Sequence, residues 1–227
     1  MAMRHLEKEL RGTGDPRKQA FAEVITGIRE SLGSDIPLPI ASTPEKQLGI
    51  KRFSTEQREA LEKQGFVIYD LTGQSIKTLR DKGRKFWSDW HKSLPDFEAL
   101  TSIRSEVAIN PNKLFLPKSN YKTLAQQEMM VSKFSEELRK KVKGVKAIIG
   151  QAPDYAELIF AHLDRTKEYL FDAKDNYNFA RTNTPTNGVD VAIVDECQAA
   201  DGGLSFEDWH RDYGHERIYA APLVVPE

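Results

Sequence analysis

The chain has 227 residues, and its 33 Lys and Arg nearly balance its 34 Asp and Glu, which gives a formal net charge of -1 at pH 7. This balance excludes the global positive field that draws many proteins to nucleic acid. The single cysteine, Cys197, excludes a disulfide framework and a zinc site built from several thiolates.

The first part of the chain predicts a helix followed by a linker. Asp15 is a suitable helix N-cap, Pro16 suits the first helical position, and several prolines without usable periodicity follow the helical pattern. We therefore predict an N-terminal helical segment with a Pro-containing linker over residues 1–52 and a mixed domain over residues 53–227. The apolar stripe of the helix must pack on the main domain or on a second copy, so a homo-oligomer through this helix is one expectation.

The hydropathy of the chain indicates a cytoplasmic protein without a membrane partner. No stretch approaches the roughly 20 apolar residues that a membrane-spanning helix needs. The first residues lack the apolar segment of a secretory signal peptide.

The main domain mixes helical and strand patterns in the order typical of an α+β fold. Capping-box pairs at Ser54 with Gln57 and at Thr123 with Gln126 predict two helix starts. Gly83 lies on the apolar face of a predicted helix, which indicates close packing against a neighbouring element. The main helices are predicted at about 74–92 and 123–143, with a further helix from Pro153 to about Arg165. Strands are predicted at 66–71, 103–109, 114–116, 145–150, 189–194 and 218–225.

Helical periodicity disappears after about residue 166, and a distinctive order of short motifs follows. Phe179 to Pro185 contains a Thr-x-Thr-Pro turn, Val191 to Val194 is a short strand, and a Gly-containing polar stretch around Trp209 precedes the closing apolar strand. This order resembles the end of C-type-lectin-like domains of the formylglycine-generating-enzyme type. More narrowly, it resembles the variable proteins of diversity-generating retroelements. The resemblance covers about residues 178–225.

The resemblance implies a C-type-lectin-like α+β domain with a variable loop region at about residues 187–217. In such families a template-directed reverse transcriptase rewrites codons for side chains on an exposed binding face. The protein is then a non-enzymatic ligand-binding and display protein, needs no cofactor, and binds an unknown protein or other macromolecule at its C-terminal face. The implied display residues are Asp195, Glu196, Cys197, Gln198, Asp201, Phe206, Glu207, Asp208, Trp209, His210, Asp212, Tyr213, His215 and Glu216.

Two other interpretations remain open at this stage. His210, Asp212 and His215 could supply nitrogen and oxygen ligands to one metal ion, as in a metal-dependent hydrolase or nuclease, although a polar loop surface is the simpler interpretation. Basic residues within 74–92 and 139–146 could contact nucleic acid, although we favour the simpler interpretation that they lie on solvated helix faces.

Overall fold

In the computed structural model, the part of the chain that the structure describes comprises residues 49–87, 90–171, 178–196 and 203–227. The predicted N-terminal helix and nearly all of the predicted linker lie outside these residues. The described chain forms a mixed α+β fold of five helices, two four-stranded sheets and two single-turn 3₁₀ segments. The α+β prediction is therefore confirmed.

The first sheet places the C-terminal strand of the protein in its interior. Its strands are β1 (Val67–Thr72), β2 (Arg104–Ile109), β3 (Val145–Ile148) and β8 (Leu223–Pro226), in the order β1-β2-β8-β3. All three pairings are antiparallel. Because β8 pairs on both sides, the chain after the second sheet is tied back to the first.

The second sheet carries the C-terminal region that the sequence singles out. Its strands are β4 (Phe179–Pro185), β5 (Asp190–Glu196), β6 (Leu204–His210) and β7 (Ile218–Tyr219), in the order β6-β5-β4-β7. The β4–β5 and β5–β6 pairs are antiparallel, and β7 runs parallel to β4. Strand β6 is therefore an edge strand.

Local capping explains where the helices begin. Ser54 with Gln57 caps α1 (Thr55–Glu62), and both reciprocal hydrogen bonds of the capping box are formed. Thr123 with Gln126 caps α4 (Leu124–Arg139) in the same way. Both predicted capping boxes are confirmed. The remaining helices are α2 (Ile76–Asp81), α3 (Pro95–Ala99), α4 (Leu124–Arg139) and α5 (Ala152–Thr166).

The predicted helix at 74–92 is wrong in length, because α2 ends at Asp81. Gly83 has a φ of +84°, its N–H donates to the carbonyl of Arg80, and the N–H of Arg84 donates to that of Leu79. These two bonds form the helix stop in which a left-handed glycine follows the last turn. A Cβ on Gly83 would meet nothing within 4 Å, so its role is conformational and the predicted close packing is wrong. The 3₁₀ turn Trp90–Ser93 and helix α3 follow.

The strand predictions fail in three places. Residues 114–116 form no strand, and a 3₁₀ turn, Pro111–Lys113, precedes them. The predicted closing strand at 218–225 divides into β7 and β8, which belong to different sheets. Strands β4 and β6 occupy stretches that the sequence assigns to a turn and a polar loop.

Two apolar clusters hold the sheets and helices together. One joins the first sheet, α5 and the inner face of the second sheet, and it includes Leu71, Leu158, Val194 and Phe206. The other lies under α1 and α4 and includes Val191 of β5. The second sheet is thus packed on both faces near its middle, and the side chains of Glu207 and Asp208 on its edge strand β6 are exposed.

The segment just before α1 is fixed to the first sheet. Lys51 pairs with Ser105, and the carboxylate of Glu106 accepts hydrogen bonds from the backbone of Phe53 and from the Arg52 side chain. Arg58 also pairs with the buried Glu106 carboxylate. Within the described ranges, no helix is long and apolar enough to cross a membrane.

Candidate functional site

The structure brings together only part of the predicted display face. Cys197, Gln198 and Asp201 lie outside the described residues, as does the side chain of Glu196. Asp195 and Phe206 are described, and both are buried. The remaining residues form one surface around the end of β6 and the loop that follows, which we call the C-terminal surface (residues 207–216).

Burial removes Asp195 and Phe206 from the display face, which corrects that part of the prediction. The Phe206 ring has no exposed area, lies in the first apolar cluster and stacks on Phe86 at a centroid distance of 6.0 Å. The edge of Phe97 meets the same ring at 5.5 Å. Phe206 therefore stabilises the attachment of β6 to the core and cannot contact a ligand.

Two aromatic pairs shape the C-terminal surface. The rings of Trp209 and His215 lie edge to face with centroids 4.9 Å apart. The rings of His210 and Tyr213 are stacked at 4.3 Å. The Trp209 indole N–H also donates to the carbonyl of Tyr213 at 3.1 Å. The most exposed of these four aromatic side chains is Tyr213, which is 64% exposed.

Arg181 of β4 fixes the backbone beneath these rings. Its guanidinium donates to the carbonyls of His210 at 3.2 Å, Tyr213 at 2.8 Å and Lys122 at 3.4 Å. The side chain is completely buried, and it forms no ion pair with any carboxylate in the described ranges. Burial lowers the pKa of Arg181 to about 10, so the group remains a cation at neutral pH. Three carbonyl dipoles partly compensate this buried charge.

A second contact holds the loop against the segment that precedes α4. The N–H of Tyr121 donates to the carbonyl of His215 at 3.0 Å, and the N–H of Leu124 donates to that of Arg211 at 2.8 Å. Gly214 lies so close to the backbone of Tyr121 that a Cβ on Gly214 would fall 2.2 Å from the carbonyl carbon of Tyr121. The loop is therefore docked at several points along its length.

Tyr121 is a member of the surface that sequence reasoning missed. Its side chain is 65% exposed, and its hydroxyl donates to the Glu216 carboxylate at 3.3 Å. Its φ of 54° is uncommon for a bulky residue, and such positions cluster at functional sites. No local pattern around Tyr121 could have identified it, because the contact joins residues that are 95 positions apart.

The arrangement of His210, Asp212 and His215 does not support a metal centre. No group of three His, Cys, Asp or Glu side chains in the described ranges could hold a metal ion. The Nδ1 atom of His210 accepts the backbone N–H of Asp212 at 3.1 Å, and that of His215 accepts the N–H of Arg217 at 3.2 Å. Each Nδ1 is thus occupied by a backbone donor, and each ring is packed against an aromatic partner. The hydrolase or nuclease alternative loses its structural basis.

Three basic side chains within 74–92 are paired with neighbouring carboxylates. Arg80 pairs with Glu98, Arg84 with Asp164, and Lys77 with Asp81. These pairs reduce the positive charge that the segment offers to phosphate groups, and the segment is not one continuous helix. The structure therefore offers no support for the nucleic-acid interpretation at this segment.

Comparison with known proteins leaves the chain without an assigned family. It matches no protein-family model, no curated protein and no solved structure. We therefore infer the function from the geometry of the C-terminal surface.

An open groove of about 390 Å³ between α4 and β3 is the other concave feature of note. Its lining includes Ser135, Arg139 and Lys146. The Ser135 hydroxyl accepts the N–H of Ala147, and Arg139 pairs with Glu227 and donates to the carbonyl of Val145. The Ser135 and Arg139 side chains already have partners within the protein, so the groove is a weaker candidate than the C-terminal surface.

Proposed function

We propose that the protein is a non-enzymatic binding protein that recognises a protein ligand through the C-terminal surface together with Tyr121. The observation that carries this proposal is the presentation of two well-exposed tyrosines on a backbone that a buried arginine holds in place. Recognition residues commonly lie on loops that a rigid scaffold positions. Tyrosine and tryptophan dominate the energetics of such surfaces because each buries a large area at a small entropic cost.

Preorganisation is the physical advantage of this arrangement. Binding normally loses free energy when loops and side chains become ordered in the complex. Here the loop backbone is ordered before binding by the bonds from Arg181 and by the contact of Gly214 with Tyr121. The His210 ring further restricts Tyr213 by stacking on it. The loop and its side chains then lose less conformational entropy when a ligand binds.

We also propose that the domain is C-type-lectin-like and that a retroelement diversifies it. The support is the order of sequence motifs over residues 178–225 and the fixed frame around residues 207–216. A near-copy of the last codons of the gene, beside a reverse transcriptase and differing only at template adenines, would support this origin. If neither is found beside the gene, the retroelement proposal fails and the binding proposal is tested separately.

The binding proposal can be tested with a displayed library of random peptides selected on the wild-type protein. Tyr121→Ala combined with Tyr213→Ala removes both exposed rings, and Tyr169→Ala removes a 40% exposed ring outside the surface as a matched control. We expect selected clones to lose binding to the double variant and to keep binding to the control. Clones that bind all three proteins equally would contradict the proposal.

A further inference from the structure

Among the residues that the structure describes, only the first half of the β6 edge is covered. The N–H of Leu204 donates to the carbonyl of Lys85 at 3.1 Å, and the N–H of Trp87 donates to the carbonyl of Leu204 at 2.8 Å. Two residues further along the strand, the indole N–H of Trp90 donates to the carbonyl of Phe206 at 2.6 Å. Beyond Phe206 no described residue pairs with this edge.

The register identifies which backbone groups are left open. In an antiparallel pair, successive residues point their N–H and C=O alternately toward and away from the partner strand. Since Leu204 points away from β5, Asp208 does so too, and the N–H of His210 points the same way. In the described part of the chain, neither backbone group of Asp208 has a hydrogen-bond partner. Such an open edge is a template for another extended segment.

Carboxylates flank this open edge on both faces of the sheet. Asp208 and Asp190 share one face, because Asp190 opposes His210 in the register. Glu207 lies on the other face, and Asp212 follows in the loop. None of these four carboxylates forms an ion pair with another residue that the structure describes. The local charge is therefore negative although the chain as a whole is nearly neutral.

We propose that the open half of β6 pairs with an extended, Lys- or Arg-rich segment of a partner protein, which adds a strand to the second sheet. This inference rests on the proposed function, because it specifies how the same surface engages its ligand. Backbone hydrogen bonds to Asp208 and His210 supply affinity, and alternate basic side chains, which all point to one face of the added strand, reach Asp208 and Asp190 on that face. The exposed ring of Tyr213 offers a face for a further cation.

The charges also decide between the candidate occupants of this edge. A second copy of the chain pairing through β6 would bring the same carboxylates, Glu207 and Asp208, close to their own counterparts, and like charges across a strand pair are destabilising. Nucleic acid would be repelled by the same groups. A basic extended peptide is the occupant whose charge is complementary.

The experiment uses the full chain and a short synthetic peptide that alternates Lys and Thr, with a Glu/Thr peptide as the charge control. Only alternate peptide residues direct their amides toward β6. Methylation of the amide nitrogens that face β6 should therefore weaken binding about tenfold or more, and methylation of those that face away should have little effect. Amide resonances of Asp208 and His210 should shift on titration. Added salt should weaken binding steeply.

Variants at Asp208 separate the backbone contribution from the charge contribution. Asp208→Pro removes the outward N–H without removing a bond to β5, and it should abolish binding. Asp208→Ala keeps the N–H and should weaken binding only a few-fold. The thermal unfolding of both variants shows whether they fold, and the methylated peptides test the wild-type protein independently of any variant.

Absence of binding by the Lys/Thr peptide, or equal weakening by both methylation patterns, would overturn the inference. Unchanged binding to a folded Asp208→Pro variant would overturn it as well. If library ligands depend on Tyr121 and Tyr213 but tolerate Asp208→Pro, strand addition fails while the proposed binding function stands. If they also tolerate loss of both tyrosines, the proposed function itself fails.

Discussion

Arg181 and Tyr213 are joined by a hydrogen bond of 2.8 Å from the guanidinium to the backbone carbonyl, so a completely buried side chain holds the backbone of one of the most exposed aromatic residues. The same guanidinium reaches His210 and Lys122. One residue of β4 therefore connects the end of β6, the following loop and the segment before α4. The backbone that carries the exposed ring of Tyr213 is therefore held in part by this buried group.

Replacement of this anchor should loosen the surface while leaving the rest of the fold intact. We expect Arg181→Met to lower the free energy of unfolding by about 2 kcal/mol, because lost hydrogen bonds outweigh the relief of a buried charge. Amide exchange at Tyr121 and Tyr213 should accelerate, since both N–H groups donate to carbonyls of the anchored loop. Arg181→Lys keeps the charge but lacks the planar fork, so it should not restore protection. Undiminished protection in Arg181→Met would refute the anchoring role.

Gly214 provides a second test of the docked loop. Gly214→Ala would place a Cβ 2.2 Å from the carbonyl carbon of Tyr121, so one of the two segments must shift. We expect a loss of about 1–3 kcal/mol in the free energy of unfolding, measured with urea. Gly49→Ala is the matched control, because nothing lies within 4 Å of its Cβ position, and it should change stability by less than about 0.5 kcal/mol. Equal stabilities of the two variants would argue against close docking.

The comparison of sequence with structure shows which information is local. The start of α4 was predictable because Thr123 and Gln126 satisfy each other's backbone partners within one turn. The end of α2 was not, because an apolar stripe continues past Gly83 and only the positive φ there ends the helix. Glycine is a common helix stop, but nothing in the residue pattern separates a glycine that ends a helix from one that lies within its apolar face.

The location of the candidate surface was predictable from the sequence, but the residues that belong to it were not. Strand β6 resembles a polar loop because the side chains of its second half are exposed or half-buried at the edge of the sheet, so Glu207 and Asp208 break the expected alternation. Burial of Phe206 follows from its contacts with Phe86 and Phe97, which are distant in the chain. Tyr121 joins the surface through an equally distant contact with Glu216. Such contacts depend on tertiary packing, which periodicity does not report.

A buried pair of side chains on β1 and α5 should make the stability of the protein vary with pH in the mildly acidic range. The hydroxyl of Tyr69 and the Nδ1 atom of His162 are 2.6 Å apart, and burial raises the pKa of Tyr69, so the hydroxyl donates to a neutral ring. Burial lowers the pKa of His162 below its ordinary value of 6.5. Below pH 6.5 the unfolded chain therefore binds a proton that the folded chain resists. Stability is fully present above pH 6.5 and falls as the pH drops toward the lowered folded value.

The test compares the stability of the wild type at about pH 7.5 and about pH 5.5 with that of His162→Leu. The variant should be less stable at the higher pH but should lose less stability on acidification. Tyr69→Phe retains the buried imidazole and should keep most of the pH dependence, because burial is the largest cause of the lowered pKa. Identical pH slopes in the wild type and His162→Leu would show that another group is responsible.

The carboxylate of Glu157 on α5 should show an acid dependence at lower pH. It accepts hydrogen bonds from Thr72 through both the backbone N–H at 2.9 Å and the hydroxyl at 2.6 Å, from the Gln74 amide at 2.9 Å, and from Ser102. Burial alone would raise the pKa of Glu157, but these donors together hold it below its ordinary value of 4.5. The stabilisation is therefore present above pH 4.5 and is lost as the pH falls through the lowered folded value.

Replacement of this carboxylate by its neutral amide should reveal the same interaction. Glu157→Gln places an NH₂ group among donors, and we expect it to lower the free energy of unfolding by about 2–3 kcal/mol at neutral pH. Because the wild type loses the same interaction in acid, the difference between the two proteins should shrink below pH 4.5. Glu128→Gln, on the exposed side of α4, is the control and should match the wild type at every pH. A difference between Glu157→Gln and the wild type that stays constant down to low pH would mean that side-chain shape, and not the ionised carboxylate, stabilises the junction of β1 with α2.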